Sequence, residues 1–166
     1  MRAAEIADLK FSIAKPAALL GDRWILVILR QAFNGTKRFE DFQQSLGISR
    51  SLLSERLGRL VDAGVLRREP YKDDVRTRDR YRLTEMGLDL YPVLIALRDW
   101  GDRHMEGDCP PVEIRHKDCG GEPTLELRCD KCGEAVRARD AEVIAGRASR
   151  PRKDEALTTQ PQPLPT

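Results

Sequence analysis

The sequence predicts a mainly helical chain with a small amount of β structure. Apolar residues recur at intervals of three and four over most of residues 11–105, which is the period of amphipathic helices. Two short alternating segments, near residues 65–71 and 79–83, indicate strands. After residue 106, short alternating runs surround glycine-rich turns that contain the cysteines. These runs predict a small β-rich knuckle that follows the helical part in the sequence.

Length and composition limit the class of protein. A chain of 166 residues with 40% hydrophobic content suits one domain with a modest core and an appendage. Only 5% of the residues are aromatic, so the core should be mainly aliphatic. No apolar run approaches the roughly 20 residues needed to cross a bilayer, and the N-terminus lacks the pattern of a signal peptide. We therefore expect a cytoplasmic protein that does not enter a membrane.

The first part of the chain should form a loose arm followed by two helices. Residues 1–10 mix charged with apolar side chains and form the arm. Helical patterns follow over residues 11–20 and 23–33, and Asp22 between them is a suitable N-cap for the second. The second helix is so apolar along one side that we expect it in the centre of the core.

The middle of the chain has the pattern of a helix-turn-helix. A short helix over about residues 40–46 leads into the tight turn at Gly47, and a second helix follows over 49–63. Ser49 is the expected N-cap, because its hydroxyl can accept a hydrogen bond from a free N–H of the first turn. The apolar face of this second helix consists of Leu53, Leu57, Leu60 and Val61. Its opposite face is small and polar near the start, which lets the helix approach a large partner closely.

The two predicted strands follow this helix directly and are joined by a charged loop over residues 72–78. A β-hairpin that directly follows a helix-turn-helix is called a wing. Between Arg67 and Arg82 there are seven Lys or Arg residues against four acidic ones, so positive charge is concentrated beside the helix-turn-helix.

A long helix is predicted from the cap residue Thr84 to about Met105, with Pro92 starting or bending a segment of it. Its apolar residues cover more surface than one small domain can bury. We therefore expect this helix and the N-terminal helix to form a homodimer interface, with a larger monomer core as the alternative. An apolar pocket between the long helix and the core is the expected place for a small hydrophobic effector.

The order of these elements resembles the HxlR branch of winged-helix regulators, a relative of the MarR family. The resemblance covers roughly residues 8–105. It is carried by Leu19-Leu20-Gly21-Asp22-Arg23-Trp24, Arg38-Phe39-Glu40-Asp41-Phe42, Gly47-Ile48-Ser49, Leu52-Leu53-Ser54-Glu55-Arg56-Leu57 and Tyr81-Arg82-Leu83-Thr84-Glu85-Met86-Gly87, with further matches at 13–15, 28–30, 60–66, 92–94 and 100–101. The resemblance implies a homodimeric, sequence-specific DNA-binding transcription factor.

A helix over 49–63 fits a major groove with its N-terminal residues at the base edges. The residues expected there are Ser49, Arg50, Ser51 and Ser54. Two alternatives stay open for Arg50, a bidentate contact to guanine and a contact to phosphate. Arg59 is expected to reach phosphate, whereas Arg56 lies away from the polar face and is expected to form an intramolecular salt bridge.

Further basic residues flank this helix. Before the helix-turn-helix, Lys37 and Arg38 are expected to contact phosphate. In the wing, the residues expected to reach the DNA backbone or the adjacent minor groove are Lys72, Arg76, Arg78 and Arg80. We expect a repressor that binds an inverted-repeat operator as a dimer. The alternatives are a solvated wing and a winged helix used for protein interaction without specific DNA binding. An enzyme is not expected, because the chain has no glycine-rich phosphate loop, no Gly-x-Ser-x-Gly motif and only two histidines.

The cysteines carry a separate prediction. Many HxlR relatives have a redox-sensing cysteine where this chain has Phe11, so sensing through an N-terminal thiol is excluded here. The spacings His116-x2-Cys119 and Cys129-x2-Cys132 are typical of zinc knuckles, in which two ligands face one ion and the following glycine avoids a clash. They predict a structural zinc ion. Cys109 in place of His116, or reduced cysteines in a small hairpin, are the alternatives.

The predicted organisation has four parts. They are an N-terminal arm at 1–10, a DNA-binding and dimerisation domain at 11–106, a Cys-rich knuckle at 107–146 and a disordered tail at 147–166.

Overall fold

The computed structural model describes residues 11–72, 77–105 and 112–144. Within them the helices are α1 (Ala14–Leu20), α2 (Arg23–Phe33), α3 (Phe39–Leu46), α4 (Arg50–Asp62), α5 (Glu85–Leu88) and α6 (Tyr91–His104), and the strands are β1 (Leu66–Lys72) and β2 (Thr77–Leu83). The chain divides into two compact units, Met1–Leu125 and Glu126–Thr166. The predicted N-terminal arm and disordered tail lie outside the described residues. In the described parts, no helix has both the length and the apolar character that a membrane span requires.

The core of the first unit is built by α2, α3, α4 and the base of the hairpin. Its buried members are Ile25, Ile28, Leu29, Phe42, Ile48, Leu53, Leu57, Leu60, Val65, Leu66 and Tyr81. Phe42 and Tyr81 are the aromatic members of this cluster, so the prediction of a mainly aliphatic core is confirmed. The apolar face predicted for the second helix of the helix-turn-helix is confirmed too, since its three leucines are fully buried.

Three of the described helices, α2, α4 and α5, begin at the predicted cap residues. Asp22 accepts a hydrogen bond from the backbone N–H of Trp24 at 2.9 Å and begins α2. Ser49 accepts one from Leu52 at 3.4 Å and begins α4, and Thr84 caps α5 in the same way. Each cap satisfies an N–H group that has no partner within its helix. The N-terminal boundaries of these three helices are therefore encoded locally.

The wing is an antiparallel hairpin in which Leu66 pairs with Leu83 and Lys72 pairs with Thr77. Strand β2 begins two residues earlier than the predicted start at residue 79. The early residues lack apolar side chains, but the backbone hydrogen bonds of a hairpin do not require them. A bridge between Arg38 and Arg80 adds the extended segment before α3 to the edge of β2.

The prediction of one long helix after Thr84 is wrong. The chain forms α5 and α6 instead, and Pro92 lies in the first turn of α6. In a first turn the missing N–H of proline removes no helical hydrogen bond, whereas inside a helix it would. Of the two roles predicted for Pro92, it therefore starts a segment rather than bending one.

The prediction of β-rich structure after α6 is also wrong. Within residues 112–144 an isolated bridge joins Arg128 and Ala135, and a short 3-10 helix spans Ala138–Asp140 in place of the brief helix predicted for 140–146. The apolar side chains of the alternating runs, such as Leu127 and Val143, are exposed. Alternation predicts a strand only where one face can pack on a core, and here there is no such core.

Candidate nucleic-acid interface

The outward face of α4 is small and polar at its N-terminal end. Arg50, Ser51 and Ser54 are exposed there. Ser49 is exposed as well, and its Oγ lies 3.4 Å from the Oγ of Ser51. A helix of 13 residues that exposes serines beside Arg50 at its start has the size and profile that a major groove accepts. All four residues predicted at base edges therefore lie on accessible surface.

The side chain of Arg50 is oriented by the preceding helix. Its Nη1 donates to the Oε1 of Gln43 at 3.2 Å, and its guanidinium lies 4.9 Å from the centroid of the Phe39 ring. Both contacts are to α3. Contacts of this kind at exposed sites contribute about 0.5–1 kcal/mol each. Arg50 is thus held near the start of α4 but can exchange these contacts for a stronger one at small cost.

Two arginines further along α4 turn towards the start of α2. The Nε of Arg56 forms an ion pair with the Oδ2 of Asp22 at 2.7 Å, which confirms the predicted intramolecular salt bridge. Arg59 donates to the same oxygen at 3.2 Å and to the carbonyl of Ala18 at 3.2 Å. The Arg59 side chain is therefore turned towards Asp22, because one carboxylate can pair with both guanidinium groups. Its contact with phosphate stays a prediction.

Asp22 is therefore shared between the cap of α2 and the positioning of α4. Partial burial raises the pKa of its carboxyl group. The N–H of Trp24 and the positive charges of Arg56 and Arg59 outweigh that effect, and the pKa lies below the ordinary value of 3.8. Asp22 is consequently ionised at neutral pH and holds both arginines.

Three arginines of the wing share the carboxylate of Glu69. Arg67 donates to its Oε1 at 2.7 Å, while Arg80 and Arg82 lie 3.0 and 3.5 Å from its Oε2. The hydrogen bond from Arg67 is the largest cause that holds the pKa of Glu69 below its ordinary value. Much of the positive charge counted in the hairpin is thus compensated locally. Arg80, which is predicted to contact DNA, is bound to Glu69 in the middle of the hairpin.

Arg78 connects the wing to the helix-turn-helix. Its Nη1 lies 2.7 Å from the Oε1 of Glu40 at the start of α3. The pair is only partly exposed, and it orients the wing relative to α3. Arg76, the remaining basic residue predicted in the wing, lies outside the described residues.

Three further cations predicted to contact DNA are exposed. Lys37 and Arg38 precede α3, and Lys72 ends β1. The guanidinium of Arg38 stacks over the ring of Tyr71 at 5.2 Å, which keeps it beside the wing. Among the described residues, the side chains of Lys37 and Lys72 form no ion pair. These two ammonium groups therefore remain available to phosphate.

A cleft of about 590 Å³ lies between α2, α6 and residues 112–115. Its apolar lining includes Leu26, Val27, Phe33, Tyr91, Leu94 and Leu97. Its polar lining includes Arg30, Arg98, Asp102, Glu113 and Arg115. A mostly apolar cleft with a few charged groups is the usual form of a small-molecule site. The predicted pocket between the final helix and the core is present, while its occupant stays a prediction.

The four predicted zinc ligands lie in two turns after α6. The Nδ1 of His116 is 3.3 Å from the Sγ of Cys119. In the other turn, the N–H groups of Cys132 and Lys131 lower the pKa of the Cys129 thiol below 9.0. Among the described residues, no group of three or more His, Cys, Asp or Glu side chains is close enough to hold a metal ion. Each turn therefore presents a pair of candidate ligands.

The sequence analysis did not predict the acidic partners of the basic residues on this surface, which are Asp22, Glu40 and Glu69. Glu69 lies opposite Arg80 in the hairpin register, so a cross-strand pair was the available signal. The partners Asp22 and Arg59 are 37 residues apart, and Glu40 and Arg78 are 38 apart. No local pattern indicates pairs at such separations.

A family model described as HxlR-like helix-turn-helix matches residues 19–108, which is more than half of the chain. The chain belongs to the HxlR-like helix-turn-helix family. Its relatives are HTH-type transcriptional regulators, so the family is one of regulators and not of enzymes. The winged helix-turn-helix fold and the regulator family predicted from the sequence are confirmed.

Individual relatives extend the match beyond the family model. This HxlR-like protein is 42% identical over 130 residues to the uncharacterised HTH-type transcriptional regulator Rv3095 of Mycobacterium tuberculosis, covering 78% of this chain and 82% of the relative. The crystal structure of PA1607, described as a candidate transcription factor, has 33% identity and a TM-score of 0.77 over 86% of this chain and 99% of that chain. The reduced form of the transcriptional regulator YodB from B. subtilis has 28% identity and a TM-score of 0.51 over 61% of this chain and all of that chain. A match of 130 residues cannot fit within the first 108, so it reaches into the segment after α6.

Proposed function

We propose that this HxlR-like protein is a transcriptional repressor that binds an inverted-repeat operator in double-stranded DNA as a homodimer. Each protomer offers α4 to the major groove and the hairpin to the DNA backbone or the adjacent minor groove. The observation that carries the proposal is the exposed, small and polar leading turn of α4, beside exposed cations. A dimer bound at a promoter blocks polymerase without further machinery.

The apolar surface of α6 supports a homodimer. Val93, Leu97 and Trp100 are each about half exposed, and Ile13 before α1 is 72% exposed. Apolar patches of this extent on a monomer usually mark an interaction surface. A two-fold dimer repeats the same patch on both protomers and carries two copies of α4 to half-sites one helical turn apart, about 34–36 Å.

The proposed contacts fall into two groups. Ser49, Arg50, Ser51 and Ser54 face the base edges, while Lys37, Arg38, Lys72, Arg76, Arg78 and Arg80 face the backbone or minor groove. The wing arginines must exchange their carboxylate partners for phosphate, so they contribute less than their number suggests. Arg59 is proposed to reach phosphate as well, and like the wing arginines it must first exchange its bonds to Asp22 and Ala18.

DNA selection followed by salt titration tests the proposal. The full chain is used to enrich a duplex from a random library, and its Kd is measured between 50 and 200 mM KCl beside a scrambled duplex. We expect the logarithm of the affinity to fall linearly with the logarithm of the salt concentration, by about 0.9 per phosphate contact. The scrambled duplex should bind about 10³-fold or more weakly. Equal binding of both duplexes would instead support the alternative function, a protein-interaction module.

Replacing Arg50 by alanine is expected to weaken binding to the selected duplex by about 10- to 100-fold, since one good base contact is worth about 1–3 kcal/mol. Arg50→Lys decides between the two contacts that Arg50 can make. A bidentate guanine contact requires the planar guanidinium, so lysine would be as poor as alanine. A phosphate contact would be largely kept by lysine. Electrophoretic mobility shift titration measures each affinity.

Arg103→Ala is the matched control for Arg50. Arg103 is an exposed arginine at the end of α6 that bonds only to the backbone carbonyl of Asp99 among the described residues. Its removal changes the net charge equally and should leave the affinity within about twofold. An equal loss in both variants would mean that Arg50 acts through overall charge and not through a contact.

The cleft is the proposed site of the effector that releases the repressor from DNA. All four cysteines lie between residues 109 and 132, so the matched winged-helix core contains no thiol that could sense an oxidant. The cleft volume of about 590 Å³ lies within the usual range of small-molecule sites, about 300–1,000 Å³. Its lining favours a compact hydrophobic molecule, because apolar groups of α2 and α6 form most of the wall.

Filling the cleft with a larger side chain is expected to weaken the binding of an apolar probe. Val27 lines the cleft and is 37% exposed, so a Val27→Trp substitution can project into the cleft without disturbing the core. We expect the fluorescence titration of 1-anilinonaphthalene-8-sulfonate to show at least a fivefold weaker affinity. Val143→Trp, at an exposed position outside the cleft, is the control. If both variants bind the probe like the parent chain, the dye binds elsewhere and the cleft is not the ligand site.

A further inference from the structure

Two successive segments after α6 repeat one sequence pattern. Residues 113–120 read Glu-Ile-Arg-His-Lys-Asp-Cys-Gly, and residues 126–133 read Glu-Leu-Arg-Cys-Asp-Lys-Cys-Gly. Each has a candidate metal ligand in the fourth position, a cysteine in the seventh and a glycine in the eighth. We refer to residues 113–121 as the first knuckle and to residues 126–134 as the second knuckle.

The first knuckle is a tight turn closed by its own backbone. The N–H of Gly120 donates to the carbonyl of His116 at 2.8 Å, and the N–H of His116 donates to the carbonyl of Gly121 at 2.8 Å. Arg115 braces the turn, with Nη1 donating to the Gly120 carbonyl at 3.2 Å and Nη2 lying 2.6 Å from the Oε2 of Glu113. The glutamate, arginine and glycine of the sequence pattern thus each take part in closing the turn.

The second knuckle has the same construction. The N–H of Gly133 donates to the carbonyl of Cys129 at 2.9 Å, and the N–H of Cys129 donates to the carbonyl of Glu134 at 2.9 Å. Arg128 donates to the Gly133 carbonyl at 3.0 Å, and its Nη2 lies 2.6 Å from the Oε2 of Glu126. The two turns therefore agree in backbone bonds as well as in sequence.

The glycines of the pattern are required by the backbone. Gly120 has φ of 71° and Gly133 has φ of 74°, a left-handed conformation that other residues adopt only with strain. This conformation reverses the chain directly after the cysteine. Because the chain reverses at that point, the candidate ligand in the fourth position and the cysteine in the seventh position lie on the same turn.

The distance within the first pair fits a shared metal ion. The Nδ1 of His116 and the Sγ of Cys119 are 3.3 Å apart. Two ligands of a tetrahedral zinc ion, with bonds of about 2.0 Å to nitrogen and 2.3 Å to sulfur, are separated by about 3.5 Å. The pair is therefore close to the separation of two zinc ligands.

The described residues of the two knuckles bury no apolar core beneath their turns. Nearly all side chains between residues 112 and 144 are exposed, including Leu125 and Leu127. Cys119, Cys129 and Cys132 are free thiols. Small segments that bury no core are generally stabilised by disulfides or by a structural metal ion. Both knuckles have instead two candidate metal ligands three residues apart.

We propose that the two knuckles are zinc-binding elements, with His116 and Cys119 as the ligands of the first and Cys129 and Cys132 as the ligands of the second. Thiolate and imidazole are the donors that structural zinc prefers, whereas calcium and magnesium take oxygen ligands. The role is structural, since binding energy replaces the missing core. It is independent of operator binding and is measured without DNA.

Metal analysis of the full, tag-free chain tests the proposal. The chain is purified with a reductant, its zinc is measured by inductively coupled plasma mass spectrometry, and the apo chain is titrated with Co²⁺. We expect at least equimolar zinc and the visible absorption of tetrahedral Co²⁺ with thiolate ligands. Cys119→Ser, Cys132→Ser and His116→Ala should each weaken zinc retention against a chelator at least tenfold. Asp130→Asn, a carboxylate change within the second knuckle, is the control and should retain zinc.

Three outcomes would overturn the proposal. Absence of zinc together with no Co²⁺ spectrum would exclude metal binding. A Cys129–Cys132 disulfide that forms and reduces reversibly, with no metal bound, would assign the second knuckle to redox chemistry. Loss of zinc in Cys109→Ser, with retention in His116→Ala, would remove His116 from the ligand set.

Discussion

Replacing Asp22 by alanine is expected to lower the free energy of unfolding by about 3 kcal/mol. The substitution removes the N-cap of α2, which costs about 1 kcal/mol. It also removes the carboxylate that pairs with the Nε of Arg56, so this side chain, which is only 17% exposed, keeps only the exposed Glu55 as a partner. Removing one partner of a buried ion pair is costly because the other charge stays behind, and about 2 kcal/mol is a discounted value for this partly accessible pair. Urea denaturation followed by circular dichroism measures the change.

Asp22→Asn separates the two contributions. Asparagine caps a helix about as well as aspartate, so this variant keeps the cap and loses only the charge. We expect a loss of about 1–2 kcal/mol. Glu55→Gln is the matched control, because Glu55 also pairs with Arg56 but is 63% exposed, and surface pairs contribute about 0–1 kcal/mol. An Asn variant as stable as the parent chain would show that the ion pairs contribute nothing.

The direction of the Asp22 pKa shift predicts a pH dependence. The folded pKa lies below the ordinary value of 3.8, so the unfolded chain takes up a proton at Asp22 first as the pH falls. The stabilisation from Asp22 is therefore complete above that value and is lost as the pH falls through it towards the folded pKa. The difference in stability between the parent chain and Asp22→Asn should shrink over this acidic range and be constant near neutral pH.

The predictable part of the fold is the part encoded by neighbouring residues. Asp22, Ser49 and Thr84 were identified as caps because each bonds to a backbone N–H two or three residues ahead. The apolar face of α4 was found because helical periodicity is a short-range signal. Pro92 marked the start of α6, although the pattern alone did not reveal that α5 ends before it.

The unpredicted part depends on contacts between distant residues. The orientation of Arg59 is decided by Asp22, which lies in another helix, and the partner of Arg78 is Glu40. The alternating runs around Leu127 looked like strands because sequence does not report whether a core is present. In the knuckles, the repeated ligand spacing was visible in the sequence, whereas the shared backbone bonds required the structure.

Helix α2 joins the proposed functions. It supplies Ile25, Ile28 and Leu29 to the core, it forms one wall of the cleft, and its cap Asp22 holds α4. A ligand in the cleft can alter DNA affinity only if it binds two arrangements of these elements with different affinity. The Asp22 ion pairs are the physical link through which a displacement of α2 would reach α4.

Trp100→Glu is expected to convert the proposed dimer into a monomer and to weaken binding to a full operator by about 10²- to 10⁴-fold. Trp100 is 49% exposed on α6, and a carboxylate in the centre of an apolar interface would lose its hydration without a partner. The affinity falls because the second half-site no longer binds at the high effective concentration that a dimer provides. Sedimentation equilibrium measures the mass, and mobility shift titration measures the affinity.

Met86→Glu is the control for Trp100, because Met86 is 50% exposed but lies on α5, outside the proposed dimer face. It should leave the mass and the operator affinity unchanged. A duplex with a single half-site distinguishes loss of dimerisation from loss of folding. The Trp100 variant should bind it as the parent protomer does, and the salt dependence on the full operator should fall to about half, because each bound protomer makes half of the phosphate contacts. A variant that remains dimeric, or one that still binds the full operator with parental affinity, would place the dimer interface away from α6.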